Sequence, residues 1–332
     1  MSSQQGIKLA FLEHFLSLEK YDYSEIDLKL SKNLLDKCSS EYFLSKLKNF
    51  PQLTKLALRM ILDQLNTDVG STLGKGFSQL SHLQNLQLVF DSCENTDANI
   101  FGLLNLLEFC NKLKSLNIIL KQNQLQLFAL QNISQKIQKC MDLTELSLNL
   151  SECWIDDDGV QILSSLLTQL QHLTNINLNL SCNFIGVKGV IELGKHLQQV
   201  KNLKKLYLYM NYNHFRNDGI SNLIEELAKC PNIQYLDLQL ENNKIFGQYF
   251  SELSSQFVKL SNLQYLKLSF AQNNIQDEEL IQFGKTLKKM KHLKHFSIDL
   301  EQNIKISYEA IIKFYLSLIK IKMLVEYFIR YY

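Results

Sequence analysis

The side chains best suited to chemistry in this sequence are few, and their spacing is regular. His82, His172 and His292 are separated by multiples of thirty residues. Whatever local structure holds one of them therefore holds the others at distant, equivalent places. They cannot converge on one centre, and the remaining histidines show no metal-ligand spacing. Asp156-Asp157-Asp158 resembles an acidic metal loop, but it directly precedes Gly159 and an apolar pattern of helical period. Aspartate there favours a helix N-terminus, and capping is the reading we adopt. The seven cysteines include no CxxC pair. Cys110 and Cys140 stand thirty apart and read as small buried hydrophobes rather than a redox pair. The sequence therefore predicts no catalytic residue, no metal site and no cofactor site.

The elements that carry these residues repeat. Steps of thirty from Tyr23 give Leu53, Leu83, Leu113 and so on to Ile233, Leu263 and Leu293. Three residues on, the column runs from Ile26 and Leu56 to Leu266 and Phe296, and two further apolar columns follow at intervals of two. Ten units keep this register without an insertion. Each reads L-x-x-L-x-L-x-L-x-x-N-x-I, then a stretch of helical period such as Leu163, Leu167 and Leu170. The alternating part predicts a strand with one buried face and the second part a one-sided helix. The Asn column includes Asn33, Asn123, Asn183, Asn213, Asn243, Asn273 and Asn303, with Cys93 and Cys153 as stand-ins. A buried amide there can satisfy backbone groups where the chain leaves the strand. No unit can bury its apolar face alone, so the units must stack.

This motif resembles the leucine-rich repeat of the ribonuclease-inhibitor-like class, over the chain from about Tyr23 onward. The resemblance implies an α/β solenoid, a horseshoe with parallel strands on the concave face and helices on the convex face, in about ten repeats of thirty residues. Strands stack at about 4.8 Å and helices at about 8–10 Å, which bends such a stack toward its strands. One departure is regular: an additional x-L pair, Leu148 then Leu150, which predicts a longer strand or a bulge at its end. The expected organisation is an N-terminal capping helix over 1–22, built on Ile7, Phe11, Phe15 and Leu18, a solenoid over 23–322, and a partial repeat or cap over 323–332. After Asn303 the pattern slips by one residue, which makes Leu324, Tyr327 and Ile329 an eleventh repeat strand. With no helix behind it, that strand is expected to dock end to end on a partner or on its own copy; the other arrangement is a helix that closes the core.

Lys+Arg 35 against Asp+Glu 33 gives a net charge of +2, and only Arg59, Arg216 and Arg330 are arginines. Neither a nucleic-acid partner nor a membrane is expected on that balance. Two prolines and twelve glycines leave little room for phosphate loops or rigid linkers. The polar start lacks the form of a signal peptide, and no apolar run reaches the roughly 18 residues of a membrane span. A cytoplasmic protein is expected, cytoskeletal or within a large complex.

Function must then lie in the positions that the repeat leaves open. Tyr207, Tyr209, Tyr235 and Tyr265 fall on the free face of neighbouring strands. They either anchor a partner or only cover the sheet. Trp154, Phe184 and His214 occupy one column after the strand, where they either form a contact on the rim or lie under a folded-back loop. The expected function is a non-enzymatic scaffold binding one or more proteins. The alternatives from the resembling class are a GTPase-activating protein, for which Arg216 would be the residue of interest, and a ribonuclease-inhibitor-like inhibitor.

Overall fold

The structure, a computed structural model, describes residues 6–11, 23–30, 42, 45–61, 80, 82–91, 104–246 and 250–331. The chain forms two compact units, Met1–Trp154 and Ile155–Tyr332. In the first, strands β1 (Gly6–Phe11), β2 (Glu25–Leu30), β3 (Lys55–Ile61), β4 (Asn85–Asp91), β5 (Ser115–Ile119) and β6 (Glu145–Asn149) pair in chain order, all parallel. A short 3-10 helix, Asn105–Phe109, precedes β5, and helix α1 (Leu127–Ile137) follows it. In the second unit, strands β7 (Asn175–Asn179), β8 (Lys205–Tyr209), β9 (Tyr235–Gln239), β10 (Tyr265–Ser269), β11 (His295–Asp299) and β12 (Glu326–Arg330) pair likewise. Its helices are α2 (Asp157–Gln169), α3 (Val187–Leu197), α4 (Arg216–Leu227), α5 (Phe250–Phe257), α6 (Asp277–Leu287) and α7 (Tyr308–Leu318).

The register explains the core. Leu28, Leu58, Leu88, Ile118 and Leu148 are partners across successive strands in the first unit, as Leu178, Leu208, Leu238, Leu268 and Ile298 are in the second. All ten are buried. Each such side chain contributes about 1.5–3 kcal/mol by leaving water, and none could do so in an isolated unit. The additional x-L pair proves to be strand continuation rather than a bulge. Leu180 N donates to Tyr209 O at 2.7 Å and Cys182 N to Asn211 O at 2.8 Å, two further rungs beyond the end of β7.

From β5 to β11 the chain leaves each strand through a left-handed residue that the motif does not announce. Gln122, Glu152, Cys182, Tyr212, Asn242, Gln272 and Gln302 all have φ between 50° and 61°. The Asn column that follows holds this turn. Asn213 Nδ2 donates to Leu180 O, Met210 O and Asn211 O, while its Oδ1 accepts from Ile185 N. Asn183, Asn273 and Asn303 make the same kinds of bond. Cys153 substitutes with a thiol donor, Sγ to Leu120 O at 3.0 Å; Asn33 and Cys93 lie outside the described residues.

The helix starts are tied to one another. Asp156 caps α2 by accepting from Gly159 N at 3.0 Å, and Asp157 accepts from Gly186 N, the start of α3, at 2.7 Å. Asp277 does the same for Ser307, which in turn caps α7. Helices pack closely where a side chain is missing: a Cβ on Gly284 would meet Phe314 at 2.8 Å.

Two expectations at the ends met different outcomes. Ile7 and Phe11 do not form a capping helix. They lie in β1, whose sequence also alternates Ile7, Leu9, Phe11 at the strand period, and β1 pairs parallel with β2. Phe15 and Leu18 lie outside the described residues. At the other end the one-residue slip is real: Phe296 pairs with Tyr327 and Ile298 with Ile329, and the segment is a strand rather than a closing helix. The extra residue falls in the loop before α7, where Ile304 is 92% exposed.

Candidate interaction surfaces

In the second unit the columns that alternate with the buried leucines carry the chemistry. Tyr207 and Tyr235 have ring centroids 4.6 Å apart, Tyr235 and Tyr265 stack at 4.1 Å with planes 9° apart, and Tyr265 meets His295 at 5.8 Å. Four successive strands thus present one continuous aromatic ladder. Such pairs contribute about 0.5–1.5 kcal/mol each beyond their burial. On the same strand face, in register between Tyr207 and Lys267, stands Asp237, only 3% exposed. A buried carboxylate is costly unless paired. Here Lys267 Nζ stands 3.2 Å from its Oδ2, and the Gln239 amide donates to Oδ1. Burial, then Asp237 and the neighbouring tyrosines, push the Tyr209 hydroxyl up to about 12. Burial and a hydrogen bond with Tyr265 push Tyr235 up further. These hydroxyls remain donors at neutral pH.

The first unit treats the same columns differently. Arg59 grips Asp27 through Nε (3.0 Å to Oδ1) and Nη2 (3.1 Å to Oδ2), a side-on fork that engages both carboxylate oxygens. Lys55 pairs with Glu25 at 3.2 Å. Ala57 and Val89 are buried although they stand in the free columns, and Ile119 beside Val89 is half-buried.

On the rim, Trp154 is 61% and Phe184 59% exposed, and His214 is exposed as well. These rings do not lie under a folded loop. Trp154 closes the first unit with φ 62°, whereas Phe184 and His214 belong to the second. Phe184 N donates to Ile155 O and His214 N to Ile185 O, so successive rim residues hang on the preceding repeat. Beside them Tyr212 donates to Glu241 at 2.7 Å, and Gln272 donates to both.

On β12, Tyr327 and Ile329 are half-buried, Leu324 is half-buried just before the strand, and Phe328 and Val325 are exposed. The Tyr327 ring meets Tyr315 of α7 at 5.6 Å, and Arg330 pairs with Glu301 at 2.8 Å.

The residues first considered for chemistry stay apart or are occupied. His82, His172 and His292 are exposed in equivalent turns. Asp156 and Asp157 hold helix starts, and Asp158 pairs with Lys188. Burial pushes the thiols of Cys140, Cys153 and Cys230 up to about 12. Among the described residues no three His, Cys, Asp or Glu side chains are grouped so as to hold a metal ion. Two members of the tyrosine surface escaped the sequence reading: His295, which stands in the column of Tyr235 and Tyr265 and could have been found there, and Asp237, whose burial no pattern signals.

A family model described as Leucine Rich repeat matches residues 140–164. A chain in the crystal structure of the Rad7 and Elc1 complex in yeast is similar with a TM-score of 0.57 and 19% identity, over 96% of this chain and 72% of that one. A structure of Leiomodin-1 actin-binding site 2 aligns over 48% of this chain and 86% of its own, with a TM-score of 0.37 and 13% identity. No curated protein matches the sequence.

Proposed function

We propose that this chain, a leucine-rich-repeat protein, is a non-enzymatic scaffold of the ribonuclease-inhibitor-like class that binds one or more proteins. The class is favoured by the pairing of a strand with an α-helix in the thirty-residue units from β5 to β11. The observation that carries the binding role is the Tyr207–Tyr235–Tyr265–His295 ladder on the free face of the second unit. The repeat motif demands leucine at the alternate, buried positions and nothing at these. Rigid aromatic rings at such positions are frequent binding anchors. In this reading Tyr209 extends the same surface, and Trp154, Phe184 and His214 add rim contacts. Tyr327 and Ile329, with Leu324 ahead of them, add a further contact on β12. No helix among the described residues is long and apolar enough to cross a membrane, and we place the protein in the cytoplasm. Catalysis has no part in the proposal, since the carboxylates and histidines that could serve it are dispersed or engaged.

The test is capture of partners from an extract of the source cells, by the wild-type chain and by the double variant Tyr235→Ala, Tyr265→Ala. The expected result is loss of the captured proteins with a melting temperature lowered by no more than a few degrees, since no buried leucine is touched. Retention of every partner would refute the role of the ladder. So would a large fall in melting temperature, which would assign the rings to stability.

A further inference from the structure

The net charge hides a sorting of charge along the two edges of the second unit. The connections that lead into β8 to β12, 198–205, 228–235, 258–265, 288–295 and 319–325, contain no Asp or Glu, and lysine recurs in every one, whereas the connection into β7, 168–175, holds neither acid nor lysine. Acidic residues gather instead at the opposite edge, in the first turns of the helices, as Asp157, Asp158, Asp218, Asp277, Glu278 and Glu279. Helix dipoles account for part of this, because cations favour helix C-termini and anions N-termini. They do not account for Lys204, Lys205, Lys291 and Lys294, which stand in the turns and at the strand starts, beyond the last turn of any helix. Among the described residues Lys204, Lys205, Lys259 and Lys291 have no acidic partner, and Lys294 donates only to the Gln264 amide.

Lys205 is the register partner of Tyr235, and Tyr265 that of His295. The basic edge and the aromatic ladder therefore form one strip. We infer that this strip binds an extended acidic segment of a protein partner, its carboxylates met by Lys204, Lys205, Lys259, Lys291 and Lys294 and its chain lying along the Tyr235–Tyr265–His295 ladder. The inference rests on the scaffold reading and names the chemistry of its partner. An extended chain repeats its side chains on one face every 7 Å or so, while the strands it crosses lie about 4.8 Å apart. Flexible lysine arms absorb that mismatch. The tyrosine hydroxyls add donors, and Asp237 does not oppose the anion because Lys267 neutralises it. Glu326, beside His295, is the one acid at the end of the strip. A single-stranded nucleic acid fits less well. It needs open ring faces on which bases stack, and Tyr235 and Tyr265 have closed theirs on each other.

The test uses the full chain and a fluorescein-labelled decapeptide of alternating Glu and Ser, followed by fluorescence anisotropy. Binding should weaken with added salt. The double reversal Lys205→Glu, Lys294→Glu should weaken it by about tenfold or more. Lys244→Glu with Lys305→Glu, on the opposite edge, should leave it unchanged. Equal loss in both double variants, or no binding by the wild type, would overturn the inference. So would stronger binding of a labelled oligo(dT) of equal charge or of phosphatidylserine vesicles. The reversal variant also separates the two ideas. If it still captures the cellular partners that Tyr235→Ala, Tyr265→Ala loses, the scaffold reading stands and the acidic partner falls. If neither variant loses them, both fall.

Discussion

The two units use one frame and finish it in opposite ways. Both bury the same leucine columns, and both leave alternate positions of the strand face open. In the first unit those positions are taken up internally, by the Arg59–Asp27 fork and by burial of Ala57 and Val89. In the second they form a ladder of rings beside a neutralised carboxylate. The frame thus fixes where a side chain stands, and the open columns decide whether that place is satisfied within the chain or offered to something else. A repeat protein can change its partner without changing its fold, because the two demands fall on alternate residues of the same strand.

If the frame is shared, damage to it should be alike in the two units. Leu148→Ala and Leu238→Ala remove equivalent side chains, each about 2% exposed or less, and each should cost about 2–5 kcal/mol. Urea unfolding of the two variants would check this. A loss in one unit and none in the other would break the equivalence.

A smaller effect tests the turn after the strand. Asn213→Ala leaves Ile185 N without the side-chain acceptor it now has and removes one of the donors to Leu180 O, Met210 O and Asn211 O, and should cost about 1–3 kcal/mol. Cys153→Ala removes a thiol that donates to two carbonyls, and should cost about 1 kcal/mol. The same unfolding measurement would order them. A larger loss at Cys153 would show that the column is held by packing rather than by its hydrogen bonds.

Most of the frame could be read in advance, because a thirty-residue period and an alternation of two are each visible as columns. Even the shifted register of Tyr327 and Ile329 follows from counting past Asn303. The start of the chain could not be settled that way: Ile7 and Phe11 fit both the helical spacing with Phe15 and the strand alternation with Leu9, and pairing with β2 decides between them. The left-handed exits at Cys182 and Tyr212 were hidden because no glycine or asparagine marks every member of the column. The sorting of charge was hidden for a simpler reason. A net of +2 sums over the chain and averages away Lys204 and Lys294 at one edge against Asp218 and Glu278 at the other. That the tyrosines stack on one another, and that Asp237 is buried beside them, depends on rotamers and ring angles that columns do not encode.

The last distinction between the units is one of protonation. Burial, then the Asp237 charge beside the ladder, hold Tyr209 up to about 12; burial, then a hydrogen bond with Tyr265 and the neighbouring charges, raise Tyr235 too. An unfolded tyrosine loses its proton near pH 10. Below that pH both states keep the proton and the second unit has its full stability. As the pH rises from 10 toward 12, the unfolded chain ionises while the folded ladder does not, so stability falls across that window. Absorbance near 295 nm should accordingly show a group of tyrosines that titrate late and together with unfolding. In the Asp237→Asn variant the charge beside the rings is gone, and Tyr209 and Tyr235 should titrate at lower pH than in the wild type. Lys267 would also lose its partner, which favours the same direction by leaving a cation beside the hydroxyls. A titration curve unchanged by that substitution would show that burial and the neighbouring tyrosines hold the protons without the carboxylate, which would then serve only to seat Lys267.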